Sequence, residues 1–280
     1  MISSAPLWLV ANSASGSNDD DALAALVEQL GTVGHAAKRV IDGAAEDLPS
    51  RVALEQAGVT TLVAFTGDGT VNALLPPLEG WSGQVLVLPG GTTNLLAKIL
   101  HATCETDAIV AAFAAGRAEV VQRPCVRSSE QMALCEVLAG PGAKWSDVRE
   151  GLRDRDLAAI ASTALEAVKD SAAGAMVQVV QPPLGNAEGY AGVRIVPQTA
   201  GLIVDGYRSD GFADYFKQGL ALIKRDFREG PHDELGMHAE IRCRSADGTP
   251  IELMFDGERA NGSPEERFSL ATLAVNLLAT

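Results

Sequence analysis

The chain has 280 residues, 47% of them hydrophobic, and its formal net charge is -14 at pH 7. This length suits two domains, and the hydrophobic fraction excludes a largely disordered chain. The acidic balance, without any cluster of Lys or Arg, excludes the basic surface typical of nucleic-acid-binding proteins. It also argues against strong electrostatic attraction to an anionic membrane.

The cysteines and the apolar runs indicate the cellular compartment expected for the protein. The four cysteines are scattered and form no C-x-x-C pair, which argues against a zinc ribbon or a redox motif. The N-terminus has no charged n-region of a signal peptide, and no apolar run approaches the roughly 20 residues that span a bilayer. We therefore expect a cytoplasmic protein with reduced thiols.

The first half of the chain alternates apolar runs with helical patterns. Three runs predict buried strands, at 7–11, 62–65 and 85–88. Each is followed by a loop rich in Gly, Ser, Thr or Asn and then by a helix, at 19–30, from Thr70 to the prolines at 76–77, and at 95–100. Repeated strand–loop–helix units predict an α/β domain with an open parallel sheet.

The pattern changes after about residue 125. A helical stretch up to about residue 150 is followed by short strands with alternating burial, at 175–180, 193–196, 201–204, 239–243 and 251–255. These strands predict a second, mainly antiparallel β-rich domain. We expect the first domain to comprise residues 1–125 and the second 126–263, with residues 264–280 returning to the first.

The glycine-rich loops after the strands are typical of phosphate-binding sites. In a parallel sheet such loops gather at the carboxyl edge, where ligands bind. Glycine lets backbone N–H groups approach phosphate oxygens, and a helix that begins there adds its positive dipole end. The loops at 66–70 and 89–94 both fit, with Thr92 or Thr93 as a predicted helix N-cap. Neither is a Walker P-loop or a complete Rossmann fingerprint.

Four motifs follow one another in a specific order. They are Asn12-Ser-Ala-Ser-Gly16, Thr66-Gly-Asp-Gly-Thr70 with Asn72, Pro89-Gly-Gly-Thr-Thr-Asn94, and Asp256-Gly-Glu258. This series resembles the diacylglycerol kinase catalytic family, which includes bacterial lipid kinases and sphingosine and ceramide kinases. The Gly-Asp-Gly-Thr signature is shared with NAD kinases, whereas Asp-Gly-Glu near the end is typical of the lipid-kinase branch.

The resemblance implies a kinase that uses ATP and Mg²⁺ to phosphorylate a hydroxyl of diacylglycerol or a similar lipid alcohol. It implies a cytoplasmic enzyme, peripheral to the inner face of the membrane, with transient membrane contact and a homodimer left open. The implied nucleotide site comprises Asn12, Ser13, Ser15, Gly16, Thr66, Gly67, Asp68, Gly69, Thr70, Asn72, Gly91, Thr92, Thr93 and Asn94. Asp68 is also implied near the metal. Asp256 is the implied general base, and Glu258 supports it or the metal.

The sequence departs from the family pattern at four places. Thr66 stands where a first glycine is usual, and Ala73 where a Glu is usual. Leu95 and the segment 122–126 stand where many members carry an Asp of a carboxylate–water–Mg network. The missing carboxylates keep open one alternative, a non-catalytic nucleotide-binding protein of the same fold. The shared Gly-Asp-Gly-Thr signature keeps open another, a kinase for a soluble acceptor such as NAD.

Simpler structural roles also remain open for some of these residues. From spacing alone, Asp256-Gly257 is a hairpin turn between two strands. Asn12 and Ser15 are equally good caps for the helix that follows them. Either Asp205-Gly206 or Asp210-Gly211 matches an Asp-Gly element of the family's second domain, and turns explain both.

Overall fold

The computed structural model describes residues 6–13, 20–141, 175–208 and 232–280. The predicted helical stretch up to residue 150 lies almost wholly outside these residues, as do Ser15, Gly16 and Asp210-Gly211. The chain divides into two compact units, Met1–Arg123 with Thr272–Thr280, and Pro124–Ala271.

The described helices and strands are, in chain order, β1 (Leu7–Ala11), α1 (Asp20–Thr32), β2 (Ala37–Asp42), α2 (Arg51–Gln56), β3 (Thr61–Thr66), α3 (Asp68–Leu74), a 3-10 helix (Pro76–Leu78), β4 (Gln84–Pro89), α4 (Leu95–Leu100), α5 (Thr106–Ala114), β5 (Glu119–Val121), β6 (Pro124–Arg127), β7 (Met132–Ala133), β8 (Val137–Ala139), β9 (Val177–Gln181), β10 (Pro183–Leu184), β11 (Gly192–Gln198), β12 (Gly201–Tyr207), β13 (Asp233–His238), β14 (Glu240–Ser245), β15 (Glu252–Phe255), β16 (Glu258–Asn261), β17 (Glu265–Thr272) and β18 (Asn276–Ala279). Among the described residues, no helix combines the length and hydrophobicity that a membrane crossing requires.

The first unit is built on one sheet with the strand order β2-β1-β3-β4-β18-β5. The first four strands pair in parallel, β18 is parallel to β4, and β5 is antiparallel to β18. Alternate residues of the strands, including Val63 and Leu86, pack with α1 and α5 in one core. Burial of each such side chain contributes about 1.5–3 kcal/mol, which explains why the apolar runs form the centre of the sheet.

The described residues of the second unit form two six-stranded sheets, ordered β10-β9-β14-β17-β6-β7 and β13-β12-β11-β8-β15-β16. All strand pairings described within them are antiparallel. Apolar side chains from both sheets, among them Ile195, Ile241 and Phe268, form one shared core. The predicted fold class, a parallel α/β domain followed by a mainly antiparallel one, is confirmed.

The chain returns to the first unit at Thr272, later than the residue 264 predicted from the sequence. Residues 265–271 lie in β17, which pairs antiparallel with β14 of the second unit. Only β18 joins the first sheet, between β4 and β5. The apolar segment 268–278 is therefore shared by two cores, a division that hydrophobicity alone does not reveal.

His101 is a buried titratable group of the first unit. Its Nε2 lies 2.8 Å from the carbonyl oxygen of Val87, and its Nδ1 lies 2.9 Å from the hydroxyl of Thr280. Burial lowers the pKa of His101 below its ordinary 6.5, and the hydrogen bond to Val87 only partly opposes this. The neutral ring then donates from Nε2 and accepts from Thr280.

We expect this histidine to weaken the fold in mild acid. As the pH falls below 6.5, the unfolded chain takes up a proton that the folded chain does not, so the free energy of unfolding decreases. The loss reaches at most about 1.4 kcal/mol between about pH 7.5 and about pH 5.5. Denaturant unfolding of wild type and His101→Gln at both pH values measures it. An equal pH dependence of the two proteins would assign the effect to other groups.

Candidate functional site

The carboxyl edge of the first sheet contains a topological switch point. The chain passes from β1 to β2 on one side and continues through β3 and β4 on the other. In open α/β sheets, ligands bind outside the carboxyl ends of the strands at such a point. The crevice expected here lies between β1 and β3, and the loops predicted to bind phosphate follow β3 and its neighbour β4.

Asn12 and Thr70 meet at this switch point. Asn12 follows β1, and its side-chain Nδ2 donates to the hydroxyl of Thr70 over 2.8 Å. Two residues from separate motifs, 58 positions apart in sequence, are therefore in direct contact. The bond holds the loop after β1 against the first turn of α3.

Helix α3 begins at Asp68, two residues before the Thr70 predicted from the sequence. Gly67 is its N-cap, with φ -76° and ψ 168°. The first intrahelical bond runs from the Val71 N–H to the Gly67 carbonyl over 3.1 Å, so the N–H groups of Gly69 and Thr70 precede it. N–H groups in the first turn of a helix have no intrahelical acceptor and lie at the positive end of the dipole, where an anionic group is stabilised.

Gly90 and Gly91 let the loop after β4 lie directly on the end of β3 and on Gly67, which follows it. A Cβ atom at Gly90 would lie 2.5 Å from the backbone nitrogen of Thr66, and one at Gly91 would lie 2.5 Å from the Cα of Gly67. Both distances are too short for a side chain next to rigid backbone. These two glycines therefore permit close packing against β3 and Gly67, whereas the sequence predicted that glycine here would permit close approach to phosphate.

Asn94 closes the turn that follows β4. Its side chain accepts from the Gly91 N–H over 2.7 Å and donates to the Gly91 carbonyl over 2.8 Å. Its backbone is left-handed, with φ 54° and ψ 48°, a conformation that Asn tolerates better than most residues. The predicted N-cap at Thr92 or Thr93 is wrong, because Asn94 is the N-cap of α4.

Asp68 connects the starts of two helices. It is the first residue of α3, and its Oδ1 accepts the backbone N–H of Leu95, the first residue of α4, over 2.7 Å. A carboxylate at this position also interacts favourably with the positive end of the α4 dipole. Asp68 thus fixes the relative position of the two glycine-rich loops.

Asp42 is a residue of this edge that sequence reasoning missed. It ends β2, and its carboxylate accepts the Ser13 hydroxyl over 2.7 Å and the Ser13 N–H over 3.1 Å. The bond from the Ser13 hydroxyl, with further N–H bonds, lowers the pKa of Asp42. One sequence signal indicated a strand end here, because the apolar pair Val40-Ile41 is followed by Asp42-Gly43. Strand β2 was not predicted, since it is an edge strand with mostly exposed residues.

The remaining residues of the predicted nucleotide site are distributed around these contacts. Thr66 ends β3 and is 2% exposed, while Asn72 is half-buried within α3. Thr92 is exposed and Thr93 half-buried, both in the turn closed by Asn94. The structure therefore brings together Asn12, Thr70, Gly67, Asp68, Gly91 and Asn94, while Ser15 and Gly16 lie outside the described residues.

Asp256 and Gly257 form the two-residue hairpin turn between β15 and β16 of the second unit. Both have positive φ, 48° and 94°, as a type I′ turn requires. The Asp256 carboxylate accepts backbone N–H groups of Leu134, Cys135 and Glu136 over 2.7–2.8 Å. This aspartate therefore does more than form a turn, because it also holds the segment 134–136.

The environment of Asp256 raises the pKa of its carboxyl group. The residue is only 2% exposed, and burial raises the pKa of its carboxyl to about 6, although the three N–H bonds act in the opposite direction. A carboxylate with a pKa near neutrality has the basicity that general-base catalysis favours. Glu258 lies two residues further on, exposed at the start of β16.

The acidic residues of the site suit a metal ion that takes few of its ligands from the protein. Among the described residues, no group of three or more His, Cys, Asp and Glu side chains is placed to hold a metal ion. A cation held mainly by phosphate oxygens and water, as Mg²⁺ usually is, requires only one or two protein carboxylates. Asp68, at the start of α3 beside the loop predicted to bind phosphate, is one carboxylate that meets this requirement.

Comparison with known proteins agrees with the geometry of the sheet edge. Residues 6–123 match the sequence model of the diacylglycerol kinase catalytic domain. A diacylglycerol kinase from Bacillus anthracis strain Sterne is similar in structure over 99% of this chain and 97% of its own, with 14% identity and a TM-score of 0.66.

A candidate diacylglycerol kinase from the same strain is similar over the same shares of the two chains, with 15% identity and a TM-score of 0.64. At such low identity these two structures show a shared fold. Comparison with curated proteins gave no match. Residues 6–123, which carry three of the four motifs, match the diacylglycerol kinase catalytic domain, so the resemblance predicted from the motifs is confirmed over this segment.

Proposed function

We propose that the protein is an ATP- and Mg²⁺-dependent lipid kinase. It transfers the terminal phosphoryl group of ATP to a hydroxyl of diacylglycerol or a similar lipid alcohol during transient contact with a membrane surface. The observation that carries the proposal is the meeting of the Asn12, Gly67–Thr70 and Gly91–Asn94 loops at one switch point, within the segment that matches the catalytic domain.

The nucleotide site proposed here has separate parts for phosphate and metal. The N–H groups of Gly69 and Thr70 at the start of α3 would donate to phosphate oxygens, since they precede the first intrahelical bond. Asp68 would hold Mg²⁺ together with those oxygens, and the ion would neutralise charge on the phosphates. The bond from Leu95 to Asp68 Oδ1 keeps the carboxylate at the phosphate end of the loop.

Asp256 is the proposed general base. Phosphoryl transfer needs little covalent help from the protein, but it needs a group that orients the hydroxyl and accepts its proton. The carboxylate is rigidly held by three N–H bonds, and its raised pKa suits the role. Glu258 is the proposed supporting residue.

One observation favours a second candidate, a nucleotide-binding protein without kinase activity. Asp68 already accepts the Leu95 N–H, and position 95 itself carries no carboxylate. In this case ATP would bind and no phosphoryl group would be transferred. A kinase of NAD is less well supported, because the matched family is that of diacylglycerol kinases.

The three candidates make different predictions for one assay. The purified chain is given labelled ATP with diacylglycerol, other lipid alcohols or NAD, in Mg²⁺ and in excess chelator. We expect label on a lipid only, and only with Mg²⁺, and we expect Asp68→Asn to lose most of it. The exposed Asp47→Asn serves as the matched control. Label on NAD, or binding of ATP without transfer to any acceptor, would overturn the proposal.

A further inference from the structure

A largely buried ion-pair cluster lies on β11 and β12 of the second unit. Arg194 of β11 donates from its Nε to Glu136 Oε2 over 2.8 Å, and its Nη1 lies 3.5 Å from Oδ2 of Asp205 on β12. The side chains of Arg194, Glu136 and Asp205 are 15%, 25% and 10% exposed. One guanidinium therefore compensates two carboxylates that water reaches only in part, and it keeps its charge because Arg is not deprotonated in proteins.

Glu136 connects this cluster to the Asp256 turn. Its backbone N–H donates to Asp256 Oδ1 over 2.8 Å, and its carbonyl accepts the Asp256 N–H over 2.9 Å. The backbone of Glu136 thus contacts both the carboxylate and the backbone of Asp256, while its side chain is held by Arg194. These contacts form an unbroken series from Arg194 through Glu136 to the Asp256 carboxylate.

The segment 134–136 lies between two strands and forms the support of that carboxylate. Strand β7 ends at Ala133 and β8 begins at Val137, and all three intervening N–H groups donate to Asp256. A functional side chain is held precisely only when the groups that support it are themselves fixed by packing or hydrogen bonds. The Arg194–Glu136 pair provides such a fixed point at the end of the segment next to β8.

From this geometry we infer that Arg194 is a positioning residue, which holds the Asp256 carboxylate in place through Glu136. The inference rests on the proposed function where it gives Asp256 the role of the base, whereas the series of contacts does not depend on that role. It adds two residues outside the four motifs, and their effect on turnover is indirect.

A mutant cycle with Asp256→Asn tests the inference. We expect Arg194→Gln to lower kcat by on the order of 10–10²-fold and to leave ATP affinity unchanged, because a displacement of about 1 Å has effects of this size. Arg194→Lys keeps the charge without the planar fork and should restore part of the loss. In the Asp256→Asn background, Arg194→Gln should lower kcat no further, because the group that it positions is already gone.

Two further variants complete the design. Glu136→Ala keeps the N–H that Asp256 accepts and leaves Arg194 paired with Asp205, so it breaks the series without leaving a carboxylate uncompensated. It should lower kcat as Arg194→Gln does, and it replaces that variant in the cycle if Arg194→Gln does not fold. Arg267→Gln is the matched control, since it breaks the exposed pair of Arg267 with Glu240 and should keep wild-type kcat.

The outcomes separate this inference from the proposed function. Equal loss of kcat in the wild-type and Asp256→Asn backgrounds, or normal kcat in Arg194→Gln and Glu136→Ala, would overturn the inference and leave the kinase standing. If wild type transfers no phosphoryl group, the proposed function is overturned, and the same cycle is measured as denaturant midpoints. Additive shifts of the midpoint would then overturn the inference as well, whereas non-additive shifts would support the positioning of Asp256 by Arg194.

Discussion

Replacing Gly91 with Ala is expected to lower ATP affinity and kcat/KM by on the order of 10²-fold, the effect of a catalytic geometry displaced by about 1 Å. The new Cβ would lie 2.5 Å from the Cα of Gly67, the N-cap of α3. Both atoms belong to backbone or are fixed to it, so one loop must move. Either movement displaces the N–H groups of α3 from the proposed phosphate position or breaks the bond between Asp68 and Leu95.

Gly31→Ala is the matched control for this substitution. Gly31 lies near the end of α1, and a Cβ there meets no atom within 4 Å. Since Ala favours helix over Gly by roughly 0.5–1 kcal/mol, this variant should be slightly more stable and bind ATP normally. Calorimetric ATP titration and thermal unfolding of both variants give the comparison. If Gly91→Ala folds and binds ATP like wild type, the two loops do not depend on each other.

The sequence predicted the central elements of both units because they are specified locally. Buried runs such as Leu62–Phe65 and Val85–Leu88 have few alternatives to the centre of a sheet, and the structure places them there. The alternating strands after residue 175 appear within a few residues of their predicted bounds. Edge strand β2 was missed because its side chains are largely exposed, Val40 at 40% among them.

The contacts that form the site join residues that are far apart in the sequence, so local sequence patterns could not predict them. Asn12 and Ser13 are adjacent in sequence, but one bonds to Thr70 and the other to Asp42. Which partner each finds follows from the strand order β2-β1-β3, a property of the whole sheet. Glycine is required at position 91 because Gly67 lies against it in space. The glycine content of the loop alone suggested contact with a ligand instead.

Asp256 has a structural role and a proposed catalytic one, and the structural role must be measured before the catalytic one is assigned. Its carboxylate accepts three backbone N–H groups, whereas an Asn side chain has a single acceptor oxygen. Asp256→Asn therefore leaves at least one buried N–H without its acceptor, at a cost of about 1–3 kcal/mol in the free energy of unfolding. Denaturant unfolding measures this cost, and turnover is then compared per folded molecule.

After that correction, Asp256→Asn is expected to lower kcat by roughly 10²–10⁴-fold, the usual contribution of acid–base catalysis. ATP affinity should stay unchanged, since the proposed base acts on the acceptor hydroxyl. In wild type, kcat should rise with pH through about 6, because the base must lose its proton before it can accept one. That rise should be absent from the residual activity of the Asn variant.

A second aspartate beside a glycine provides the control for these measurements. Asp247 precedes Gly248 in the turn after β14, and its exposed carboxylate accepts bonds from Ser245 and Thr249. Asp247→Asn should keep kcat, ATP affinity and the pH profile of wild type, because Asn also forms turns well. If Asp256→Asn lowers stability but retains near-normal kcat and the same pH profile, the Asp256 carboxylate only holds the segment 134–136. The base would then lie elsewhere, and Glu258→Gln would be the next variant to measure.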